Sequence, residues 1–105
     1  MTFSVRRIVT THDADGNAIA GIDTEIQAKE GRPGTGIHGT VLWVTDSMPV
    51  DMSGDEDTAL RKVDIAPGPN GSIFRIIEFP AGCEPYRHRT DTIDYVLVLK
   101  GEIDM

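Results

Sequence analysis

Cysteine is almost missing from this sequence. Cys83 is the single one among 105 residues, so no disulfide within the chain can staple the fold. A reducing compartment suits such a chain. Basic side chains are also scarce, 10 against 17 acidic ones, for a net charge of -7. That balance argues against nucleic acid or an anionic membrane as the main partner, because both call for a basic surface. Long hydrophobic runs are absent too. The longest is Tyr95 to Leu99, far short of a membrane span. The opening Met1-Thr2-Phe3-Ser4-Val5-Arg6-Arg7 lacks the apolar core of a signal peptide. A cytoplasmic location is the expectation. With no internal repeat, low-complexity tract or linker, residues 1–105 read as one small domain.

What is present points to β structure. Eleven glycines and six prolines, with few helical patterns, favour a turn-rich all-β architecture. Phe3 to Thr10 reads as a first strand and Ala18 to Ile26 as its return, joined by the turn cluster Asp13-Ala14-Asp15-Gly16-Asn17. Thr40 to Thr45 and Ser72 to Phe79 read as strands from their β-branched and aromatic content. The second of these is apolar on both faces, which predicts an inner strand. Asp46 to Gly71 is a long polar loop, with a short edge strand expected over Ala59 to Ile65. Ile93 to Lys100 is predicted as the last strand.

Several motifs are set aside on spacing. Asp13-x-Asp15-x-Asn17 resembles the start of a calcium loop, but Ala18 and Thr24 stand where the glycine and glutamate belong. Gly31-Arg32-Pro33-Gly34-Thr35-Gly36 has the glycines of a phosphate cradle but no following Gly-Lys-Ser/Thr or helix. Asn70-Gly71-Ser72 reads as an Asn-Gly turn rather than a glycosylation site. Cys83 has no histidine in a fixed local arrangement to make it a nucleophile.

The constellation that could carry chemistry lies between Gly82 and Gly101. His88, Thr90 and Asp94 share parity with Val96 and Val98. On an unbroken strand all would face one way, three polar groups converging on an apolar face. An Asp91-Thr92 bulge would reset that alternation. A carboxylate within an apolar strand demands a partner, so Asp94 is expected to pair with His88 or Thr90. Such a pair would serve proton transfer or simply be a structural hydrogen bond. Tyr86 and Tyr95 stand near it, as packing residues with a polar tip or as ligand contacts. His88 and Asp94 are also the two good metal donors; iron, manganese, zinc or nickel would suit them, with a third ligand still required.

The same stretch resembles the first conserved motif of the cupin superfamily: glycine, five residues, His-x-His, three or four residues, glutamate, six residues, glycine. Gly82, His88 and Gly101 match it, while Thr90 and Asp94 replace the second histidine and the glutamate. His88-Arg89-Thr90-Asp91-Thr92-Ile93-Asp94-Tyr95 is similar to a subgroup of small single-domain cupins. So are Arg6 to Thr10, the Leu42-Trp43-x-Thr45-Asp46 segment and the strand holding Phe74, Arg75, Phe79 and Pro80. The resemblance implies a cupin-like antiparallel β-sandwich or barrel with a small organic ligand in its mouth. A second motif does not follow Gly101, so the barrel is expected to be incomplete or completed by a partner chain, as a homodimer. It further implies an enzyme with a degenerate or absent metal site, with a non-catalytic binder or an inactive self-associating fragment as alternatives.

Overall fold

The structure, a computed structural model, describes residues 3–105. It contains two antiparallel sheets. The first is a hairpin of β1 (Ser4–His12) and β2 (Ala18–Gln27). The second holds β3 (Lys29–Glu30), β4 (His38–Thr45) and β5 (Ser72–Glu78), in the order β3-β4-β5.

The hairpin turn follows from one carboxylate. Asp13 Oδ1 accepts the backbone N–H groups of Asp15 and Asn17, each at 2.9 Å. Gly16 supplies the positive φ of 81° that the turn needs. These donors hold the Asp13 carboxyl below its usual range, the Asn17 N–H contributing most. Farther along, the register slips between Val9 and Thr10, leaving Gly21 as the extra residue on β2. A Cβ at Gly21 would run into the Thr11 methyl, so the bulge falls where no side chain is needed.

On β1 alternation puts Val5, Arg7 and Val9 inward and Arg6 and Ile8 outward. Ile26 and Ile22 face Val5 and Val9 across the pair. The middle of this apolar stripe is therefore a charge. Arg7 is only 7% exposed, which an arginine tolerates only when paired. Its guanidinium grips both carboxylate oxygens of Asp57, and Nη1 also donates to the Leu42 carbonyl at 3.0 Å. Leu42 is available because it is itself a bulge: the β4–β5 register shifts between Val41 and Trp43.

β4 is the centre of the molecule, with Leu42 and Val44 buried. The two-residue β3 pairs with His38 and Gly39 only. Beyond it the Val44 N–H is taken by the buried Thr58 hydroxyl at 2.8 Å. Thr58 opens a one-turn 3-10 helix, Thr58–Leu60, capped by Asp57, whose Oδ1 accepts the Ala59 N–H. The long loop is thus tied to both sheets at its midpoint.

Three expectations need correction. Ala59 to Ile65 is not an edge strand: the chain turns at 58–60 and then runs irregularly, with Arg61 held by Glu56 and Asp46. β5 is not an inner strand, since it lies at the sheet edge and Phe74 is 66% exposed. Ile93 to Lys100 is in no ladder. Its apolar pattern suits a strand, but no described segment lies beside it to accept its hydrogen bonds. Tyr95 and Leu97 stand 97% and 80% exposed. The all-β architecture is present, and the barrel is not closed. The radius of gyration, 15.7 Å, exceeds the roughly 13 Å of a packed chain this long.

Removing one member of the buried pair leaves the other uncompensated, at a cost of about 3 kcal/mol. Arg7→Met and Asp57→Asn are each expected to lose about that much in urea titration. Arg7 holds the Asp57 carboxyl below its usual range. The pair's contribution is therefore complete above the ordinary aspartate range and lost as pH falls through the lowered folded value. Melting temperature followed against pH should show a shallower acid limb in Asp57→Asn than in the wild type.

Candidate functional site

Two loops meet beside the sheet. The first is the glycine-rich turn 31–36. Its backbone N–H groups look ready for an anion, but the chain supplies one itself. Glu30 accepts from Gly34 N–H at 3.3 Å and Gly36 N–H at 3.0 Å. Gly34 and Gly36 have φ of 81° and 72°, the left-handed geometry that turns those groups inward. The phosphate cradle rejected on spacing is therefore filled by a carboxylate.

The second loop is the turn at Pro80–Cys83 and its continuation. Cys83 N–H donates to the Pro80 carbonyl at 3.2 Å, with Gly82 at φ 72°. The two loops pack closely: a Cβ at Gly36 would lie 3.2 Å from Pro80 Cγ. Tyr86 is the common contact. The Arg32 guanidinium lies 3.7 Å from its ring centroid. The His88 ring stacks on it at 5.4 Å and 22°. Both geometries are favourable, the cation against the electron-rich face and the rings near parallel.

His88 is exposed, and its Nδ1 sits 3.0 Å from the Tyr86 carbonyl. A carbonyl can only accept, so Nδ1 carries the proton. The neutral ring then presents Nε2 as a free acceptor. Thr90 is half-buried and its hydroxyl pairs with that of Thr92 at 2.7 Å. Asp94 and Tyr95 are exposed, and among the described residues neither makes a hydrogen bond or ring contact. The chain thus brings Tyr86 and His88 together and leaves Thr90, Asp94 and Tyr95 apart from them. The expected pairing of Asp94 with His88 or Thr90 is not made among the described residues. Nor do any three His, Cys, Asp or Glu side chains among them converge as a metal centre requires. The donor set among the described residues does not fit such a centre.

Arg32 and Glu30 were not singled out from sequence. Glu30 carries a local signal, a carboxylate directly before a run rich in glycine. Arg32 carries none, because its partner Tyr86 is remote in sequence.

Comparison with known proteins adds a lineage. The chain is 35% identical over 108 residues to phomopsin biosynthesis cluster protein C' of Diaporthe leptostromiformis, covering 94% of this chain and 55% of that protein. It is 28% identical to oryzines biosynthesis cluster protein J of Aspergillus oryzae, covering 96% and 59%. It is 29% identical to a cupin-domain-containing oxidoreductase of Aspergillus ruber, covering 96% and 51%. The chain spans about half the length of the curated relatives it matches. No family model matches it, and no solved structure does.

The Tyr86 contacts are expected to couple the two loops. Tyr86→Leu should cost about 0.5–1 kcal/mol, the worth of an exposed cation–π contact. Amide exchange should quicken at Thr35, Gly36 and Cys83, with the β1–β2 hairpin unchanged.

Proposed function

Because this chain is a relative of the cupin superfamily, we propose that it acts on a small organic molecule, with His88 as the group that handles a proton. The observation that carries this is the fixed tautomer. The Tyr86 carbonyl holds Nδ1–H, and Tyr86 stacks on the ring, so Nε2 is oriented with its lone pair free. An oriented, accessible imidazole nitrogen is what proton abstraction from a carbon acid or phenol requires. The names of the relatives support the substrate class. Three are biosynthesis cluster proteins and others are cupin-domain-containing oxidoreductases. Thr90, Asp94 and Tyr95 are proposed as ligand contacts on the same segment. In a non-catalytic binder the same residues would orient the molecule without transforming it.

Melting-temperature shifts and product analysis with small phenols and β-dicarbonyl compounds test this reading. Turnover is expected, falling by about a hundredfold in His88→Ala, the lower range for loss of a general base. Equal turnover by both proteins would remove His88 from the chemistry. A melting shift with no product would make the protein a binder.

One observation favours a second reading. Ile93, Tyr95, Leu97 and Leu99 form an exposed apolar row on a segment with unpaired backbone. Such an edge promotes association with a second copy of the chain. Sedimentation velocity should then show a dimer that Leu97→Lys disperses. A monomer at every concentration would sink this reading and leave the first untouched.

A further inference from the structure

The glycine-rich loop and the turn that faces it border an open cavity of about 390 Å³, lined by Arg32, Gly34, Thr35, Gly82, Cys83, Glu84 and Pro85. That volume falls in the range of small-molecule sites, roughly 300–1,000 Å³. His88 is not among its lining residues, so the cavity is separate from the group assigned to proton transfer.

The charges around it are unusual for this molecule. Acidic residues outnumber basic ones 17 to 10, four of the other arginines are engaged, and Arg87 and Arg89, which have no ion pair among the described residues, do not line the cavity. Arg6 holds Asp23, Arg7 holds Asp57, Arg61 holds Asp46 and Glu56, and Arg75 donates to the carbonyls of Asp64 and Ile65. Arg32 lines the cavity, and no carboxylate among the described residues pairs with its guanidinium. Stacking on Tyr86 occupies the face of the guanidinium and restricts its orientation, while its N–H edge stays unused. The nearby backbone donors of Gly34 and Gly36 cannot serve an incoming anion, because Glu30 already fills them. The cavity therefore has one committed cation. It also has one unpaired acceptor group, since Glu84 makes no hydrogen bond or ion pair among the described residues.

We propose that this cavity binds a small organic carboxylate that carries a hydroxyl or amino donor at its other end. The Arg32 guanidinium takes the carboxylate through two parallel N–H···O bonds, the geometry for which the planar fork is suited. Glu84 accepts the donor, and Pro85 with the glycine backbone walls the body of the molecule. A phosphate is disfavoured at this place, because its higher charge would meet Glu84 and Glu30 with one arginine to offset them.

The test is titration of the chain with 4-hydroxybenzoate, followed through backbone amide signals. Saturable shifts are expected at Gly34, Thr35, Gly82 and Cys83. 4-Hydroxybenzamide, which lacks the charge, should bind about tenfold more weakly, as should 4-hydroxybenzoate to Arg32→Gln. Arg32→Lys should fall between, and Arg89→Gln should match the wild type. Arg32 lies on an exposed loop, so the spectra of these variants outside the two loops should be unchanged, separating lost binding from lost fold. Equal binding of acid and amide, equal binding by Arg32→Gln, or no saturable shift at these four residues at millimolar acid would each overturn the proposal. Binding is read here at the four cavity amides and the His88 chemistry by turnover, so this site and the His88 chemistry can fail separately.

Discussion

A single buried arginine organises the two sheets. Arg7 stands at the middle of the inward face of β1, between Val5 and Val9, where a hydrocarbon would ordinarily sit. Its cost of desolvation is offset only because three acceptor atoms come to it, two from Asp57 and one from Leu42. Each acceptor needs a further feature in place. The Leu42 carbonyl is free because β4 bulges there, and Asp57 is positioned because Thr58 caps the Val44 N–H. The hairpin, the central strand and the long loop are thus fixed to one another by one charge cluster. The apolar core around it is small, with Ala28, Leu42 and Val44 its buried hydrophobic members.

The acidic surplus has a structural use as well. Three of the loops are each built on one carboxylate that accepts backbone N–H groups. Asp13 closes the hairpin, Glu30 fills the glycine-rich turn and Asp57 caps the 3-10 turn. Asp51 does the same at Ser53. In every case the anion accepts from backbone N–H donors that a helix or ladder would otherwise satisfy. This explains how a chain with so little regular structure orders its connections. It also explains why the glycine-rich run, which looks like an anion cradle, is closed to external anions.

Much of this was legible beforehand, and the reasons differ by element. β1, β2, β4 and β5 could be read because their β-branched runs and turn residues are local signals, and each has a partner strand within the chain. Ile93 to Lys100 carries as strong a pattern and forms no ladder, because strand formation needs a neighbour and pattern alone cannot supply one. The reading of β5 as an inner strand failed for the same reason. Apolar residues on both faces state what the strand could bury, not what lies against it. At the site, His88 and Tyr86 were named from the Gly82 to Gly101 motif. Their contact with Arg32 was not, since no spacing rule links one loop to another.

The sequence by itself determined the all-β class, the resemblance to cupins and the turn at Asp13 to Asn17, because those rest on residue type and spacing along a short stretch. Only the tertiary structure decided that Arg7 is buried, that Glu30 occupies its own glycine loop, and that Arg32 lies on Tyr86 beside a cavity. Each of these depends on burial or on which groups the backbone brings together, and those exist only once the chain has folded.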